Sequence, residues 1–194
     1  AYGKYGRVDV SIIFTLFQCG ENINLKIIRS GKKMKAQVIA KPFVRLVPLS
    51  EHDTKPRYFI YCGLVFQPLS YDYIDSSECP SNPKLGALFH SGQQTDDKLE
   101  IILLSHTLSD KVNIGYEHIS NAPIKSVNGK TVRDLKGLVD LIEGAASEEE
   151  PLLQITTDDG HIIIVPSLKN KDSVVANKRI LSRYKVSCDR CLDG

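Results

Sequence analysis

Asn128-Gly129 is the strongest turn signal in this chain, because a two-residue I′ hairpin turn needs positive φ at both central positions and Asn-Gly adopts it readily. It separates two β-prone runs, Ile124 to Val127 and Lys130 to Val132. The sequence after it is regular. Residues 131–143 carry Leu135, Leu138, Val139 and Ile142 on one helical stripe that Gly144 ends. Leu152 to Thr157 and His161 to Val165 form a second hairpin across Asp158-Asp159-Gly160, and residues 169–184 read as a last helix with Val174, Val175, Lys178 and Leu181 close to one face.

Upstream of the Asn-Gly turn, Arg57-Tyr-Phe-Ile-Tyr-Cys-Gly-Leu-Val-Phe66 is a β-rich run interrupted by Gly63, which predicts one strand with a close backbone approach or bulge. Residues 71–83 are polar and Pro-containing and read as loop, residues 84–90 as a short helix, and Leu99 to Ser105 as a buried strand. Nearer the N-terminus, Val10, Ile13, Phe14 and Phe17 have helical spacing over residues 9–18, with Asp9 as the N-cap. Two strand-like runs follow, Asn24 to Ile28 and Met34 to Ile39, around a turn in which Gly31 takes positive φ. The order helix, strand, Gly turn, strand therefore occurs at 9–39 and again at 131–165. The first copy reads as a repeat truncated on its N-terminal side.

At 194 residues the chain exceeds the usual single domain of about 100–150 residues, so one domain plus a fragment, or two small domains, fits it. Pro42, Pro48 and Pro56, with the polar run Ser50 to Lys55, make residues 41–56 a linker, part of it packed through Phe43 to Leu49, with a boundary near residue 50. The 25 Lys+Arg against 23 Asp+Glu leave a net charge of +2, which excludes the sustained basic stripe of a nucleic-acid binder. The longest uncharged apolar stretch, Ser11 to Gly20, is half of the roughly 20 residues a spanning helix needs. No membrane span is expected. Ala1 has neither an initiator Met nor a signal-peptide pattern after it, and is expected to be a cut end within a longer protein. Five cysteines, at 19, 62, 79, 188 and 191, do not form a disulfide framework and point to a reducing, intracellular compartment. Cys188-Asp-Arg-Cys191 has the spacing of half a zinc site, but no second pair completes it, and neither metal nor cofactor is expected.

Several stretches, in order, resemble the permuted PDZ domains of Deg/HtrA serine proteases, in particular the plant and organellar Deg branch. Tyr58-Phe-Ile-Tyr-Cys-Gly-Leu-Val-Phe66 is similar to that branch's Gly-containing peptide-binding strand. Leu103-Leu-Ser-His-Thr-Leu108, Val112-Asn-Ile-Gly-Tyr-Glu117 and Val127-Asn-Gly-Lys-Thr-Val-Arg-Asp-Leu135 follow as in its second PDZ domain. Gly6-Arg-Val-Asp-Val-Ser11 and Leu25-Lys-Ile-Ile-Arg-Ser-Gly-Lys32 resemble the end of its first. Two departures accompany the likeness: Val112 to Ser120 replaces the usual Ala-Gly-Leu and Gly-Asp pattern, and no Gly-x-Ser-Gly-Gly nucleophile turn is present. None of His52, His90, His106, His118 and His161 has a catalytic context, so no catalytic residue is expected in this chain.

The resemblance implies an α+β, PDZ-like fold, a small partly open β-barrel or sandwich with two helices, preceded by a partial PDZ unit. Residues 1–40 would be the end of a first PDZ domain, 41–56 the linker, and 57–194 a second PDZ-like domain with a C-terminal helix. It implies a peptide-binding, oligomerising and regulatory region of an ATP-independent serine endopeptidase in protein quality control. Chloroplast or mitochondrion is the implied location, with the nucleus as the alternative. A non-proteolytic scaffold that binds C-terminal peptides is the competing function. A PDZ groove captures C-terminal or unfolded-protein peptides by strand addition beside a helix. Tyr61, Cys62, Gly63, Leu64, Val65 and Phe66 would form the binding loop and strand, and Leu135, Leu138, Val139 and Ile142 the helix wall, unless these apolar residues simply build the core. The aromatic group Tyr58, Phe59, Tyr61, Phe66, Tyr71 and Tyr73 has two readings as well, a homo-oligomer interface or a core layer.

Overall fold

The computed structural model describes residues 11–50, 54–76, 83–145 and 151–193. Asp9, Val10, His52, Cys79 and the acidic run 148–150 lie outside the described residues. The chain divides into two compact units, Ala1–Val44 and Arg45–Gly194.

In the first unit the helix expected over 9–18 is seen as a short α1 (Ser11–Phe14), closed where Thr15 donates through both its amide and its hydroxyl to the Ile12 carbonyl. Strands β1 (Asn22–Arg29) and β2 (Lys32–Ile39) pair antiparallel in unbroken register from Asn22↔Ile39 to Arg29↔Lys32. Ser30 (φ 51) and Gly31 (φ 75) make the I′ turn that matches the strands' twist. One hairpin face collects Ile23, Leu25 and Ile27 with Met34, Ala36 and Val38, and only Ile23 of these is fully buried.

The second unit is an α+β domain built on one antiparallel sheet. Its strands are β3 (Tyr58–Tyr61), β4 (Leu64–Pro68), β5 (Ile102–Thr107), β6 (Ala122–Val127), β7 (Lys130–Thr131), β8 (Leu152–Thr157), β9 (Ile162–Pro166) and β10 (Arg190–Cys191). They run in the order β10-β3-β4-β5-β6-β8-β9, with β7 paired to β6. The helices are α2 (Tyr71–Asp75), α3 (Pro83–Ser91), α4 (Leu135–Gly144) and α5 (Lys171–Arg183). The packing of β5 explains its opening apolar run, Ile102-Leu103-Leu104. Ile102 and Leu104 point into the main core with Phe66, Leu138 and Ile155, while Leu103 joins a second cluster with Leu46, Val47, Leu69, Leu85 and Phe89. A strand covered on both faces needs apolar residues at every position.

Asn128 (φ 47) and Gly129 (φ 76) form the expected turn. α4 begins at Leu135 rather than at 131, because Asp134 caps it by accepting from the Gly137 amide at 2.6 Å. The stretch read as loop from 71 contains α2, whose N-cap Ser70 accepts from the Tyr73 amide. Arg57 to Phe66 is corrected from a single strand to a hairpin, β3 and β4 joined by Cys62-Gly63 and registered from Tyr61↔Leu64 to Phe59↔Phe66.

Candidate functional site

The β3–β4 hairpin turns on Cys62 (φ 49) and Gly63 (φ 82). A left-handed conformation at cysteine is unfavourable, and here side chains from two distant elements hold it. Asn177 on α5 accepts from the Cys62 amide at 2.9 Å and donates to the Ile60 carbonyl. Asn113, fully buried, donates to the Cys62 carbonyl (2.8 Å) and the Leu108 carbonyl (2.9 Å), and accepts from the Asp110 amide (2.9 Å). Every polar atom of its amide group is engaged. Asp110 in turn binds Arg179 through both carboxylate oxygens and lies 3.5 Å from Arg183. The Arg179 hydrogen bond holds the Asp110 carboxyl below the ordinary aspartate value, against the opposing effect of burial. Burial pushes the Cys62 thiol up to about 12 and raises the Tyr61 phenol as well.

The residues expected to line an open groove are placed as follows. Tyr61, Cys62, Leu64 and Phe66 are buried together with Leu135, Leu138, Val139 and Ile142 in one continuous core, and Val65 is half-buried. Leu64 and Val139 therefore do not face each other across open space. β4 has no open edge either, since β3 pairs with one side of it and β5 with the other. Gly63 is required because a Cβ there would collide with the Asn113 amide nitrogen and the Leu108 carbonyl.

The outer position beside α4 thus falls to β3, on the side away from β4. The C-terminal tail meets that edge. The Ile60 amide donates to the Asp189 carbonyl at 2.7 Å, Arg190 and Cys191 pair with Phe59 and Tyr58, and the Tyr58 hydroxyl donates to the Cys188 carbonyl at 3.2 Å. Arg190 lies 5.0 Å over the Phe59 ring and donates to Glu143 on α4 at 2.6 Å, while Leu192 packs on the main core. The tail bridges β3 to α4 through Arg190. Sequence reasoning missed Asn113, Asn177 and this tail. Only Asp110-x-x-Asn113, which folds as a capping box, carried a local signal.

Among the described residues, no group of three or more His, Cys, Asp or Glu side chains is placed to hold a metal ion. No helix among them is long and apolar enough to cross a membrane.

An antiparallel sheet with α4 packed against β3, β4 and β6, and a C-terminal tail paired with the free side of β3, defines the second unit as an α+β domain. The PDZ domain family matches residues 47–193, and the chain belongs to that family. It is also similar to Do-like proteins of Arabidopsis thaliana. Do-like 13 is 31% identical over 180 residues, covering 93% of this chain and 32% of that protein. Protease Do-like 2, chloroplastic, is 31% identical over 182 residues, covering 90% of this chain and 28% of its own length. Protease Do-like 4, mitochondrial, is 26% identical over 183 residues, covering 93% and 32%. The chain spans about a third of the length of these curated relatives.

Proposed function

We propose that this chain is the regulatory PDZ region of an organellar Do-like serine protease, and that it takes extended peptides by strand addition at the outer edge of β3. The observation that carries this reading is the sheet order. β4, the strand bearing Gly63-Leu64-Val65-Phe66, lies between β3 and β5, so the edge beside α4 belongs to β3, where a short tail pairs through Arg190 and Cys191. Tyr61 to Phe66 with Leu135, Leu138, Val139 and Ile142 then form the rigid floor under that edge. The Do-like relatives favour a region that serves a protease over a free-standing scaffold. C-terminal or unfolded-protein segments, displayed during protein quality control, are the ligands, and assembly with further copies of the protease is the regulated outcome.

A tail resident in the site lowers the apparent affinity by the fraction of time it occupies the edge. Calorimetric titration of peptides ending in a hydrophobic residue should give weak binding to the intact chain, and about tenfold tighter binding to the Arg190→Ala/Leu192→Ala variant. Absence of binding to both at millimolar peptide refutes the proposal.

A further inference from the structure

The tail that meets β3 contains both cysteines of the Cys188-Asp189-Arg190-Cys191 motif. Both thiols are free; Cys188 is exposed and Cys191 half-buried, whereas Cys62 is sealed under the hairpin turn. Cys188 accepts the Tyr58 hydroxyl at its carbonyl, and Cys191 sits opposite Tyr58 in the ladder, so the backbones of both cysteines meet one residue of β3. After a bend at Asp189, Arg190 and Cys191 follow β3 as a short extended strand, a form that advances about 3.3 Å per residue. A disulfide requires its Cα atoms within about 4.4–6.8 Å. Joining cysteines three positions apart folds their segment into a turn, and a turn at 188–191 cannot also hold Arg190 and Cys191 in register with Phe59 and Tyr58.

We infer that Cys188 and Cys191 form a thiol–disulfide modification site whose oxidation releases the tail from β3. The oxidant is a disulfide, either oxidised glutathione or the disulfide form of a dithiol oxidoreductase. The exposed Cys188 thiolate attacks one oxidant sulfur; the other leaves as a thiolate and takes up a proton. The Cys191 thiolate then attacks the Cys188 sulfur of the mixed disulfide and expels the second thiol. The chain loses two electrons and two protons, and the oxidant disulfide becomes two thiols. The effect on peptide affinity rests on the strand-addition reading; release of the tail does not.

The test equilibrates the whole chain in glutathione buffers from fully reduced to fully oxidised, maps disulfides by differential alkylation and mass spectrometry, and follows the Ile60 amide by NMR hydrogen exchange. The expected result is an intramolecular Cys188–Cys191 disulfide, with Ile60 exchange accelerated at least about tenfold, reversed by dithiothreitol and absent in Cys188→Ser/Cys191→Ser. No such disulfide under fully oxidising buffer, or its formation with Ile60 protection unchanged, overturns the inference. Anisotropy titration of a labelled hydrophobic C-terminal peptide against both redox forms separates the two claims: a released tail without a gain in affinity refutes strand addition alone.

Discussion

Substituting Gly63 by alanine isolates what holds the β3–β4 turn. Gly63 has φ +82, and an added Cβ would collide with Asn113 Nδ2 and the Leu108 carbonyl and touch Ile180 Cδ1 at 3.4 Å. Gly129 has nearly the same backbone (φ +76), and its Cβ would meet nothing within 4 Å. A side chain in the left-handed region costs roughly 1–2 kcal/mol, and that cost is common to both positions. Gly63→Ala adds overpacking of about 1–3 kcal/mol as Asn113 is pushed from its bonds to Cys62 and Leu108. Urea unfolding followed by circular dichroism should therefore show losses of about 2–5 kcal/mol for Gly63→Ala and about 1–2 kcal/mol for Gly129→Ala, with the same m-value. Equal losses at the two positions would refute the claim that Asn113 and Leu108 are packed against the turn.

Asn113→Ala strands buried polar groups on Cys62, Leu108 and Asp110, and should cost about 1–3 kcal/mol for each group left unsatisfied, read by the same unfolding assay. The Asp110 pairing with Arg179 lowers a carboxyl pKa, so its contribution is complete above the ordinary aspartate value of about 3.9 and is lost as pH falls through the lower folded value. Stability measured between pH 5 and 2, a range around the usual carboxylate pKa values of roughly 4, should fall less steeply for Asp110→Asn than for the native chain. Leu138→Ala removes a fully buried wall of the main core and should cost about 2–5 kcal/mol by urea unfolding. Incubation of the chain with unfolded casein should leave the substrate intact by gel electrophoresis, because the chain carries no Gly-x-Ser-Gly-Gly nucleophile turn.

The sequence made local chemistry legible. Asn128-Gly129, the Leu135 to Ile142 stripe and the two runs around Asp158-Asp159-Gly160 became a turn, α4, and β8 with β9, because each is decided by residues within a few positions of one another. The turn at Cys62-Gly63 was hidden for the opposite reason. Nothing beside Cys62 announces a left-handed residue; Asn113 and Asn177, 51 and 115 positions away, supply the bonds that fix it. The strand pairing around the candidate site was hidden in the same way. A continuous β-prone run from Tyr58 to Phe66, interrupted by Gly63, describes one strand or two equally well, and only the pairing of β3 with β4 decides between them. The pairing of Arg190 with Phe59 spans 131 positions and left no trace in the pattern of either segment.

The most direct measurement of where peptides bind is a backbone amide NMR titration of the whole reduced chain with a hydrophobic C-terminal peptide. Strand addition at the outer edge of β3 requires shifts concentrated at Tyr58 to Tyr61, with matching shifts at Cys188 to Leu192 as the tail is displaced, while the Leu64 to Pro68 amides stay close to their free positions. Shifts concentrated on Leu64 to Pro68 with the tail undisturbed, or none anywhere at millimolar peptide, would contradict it.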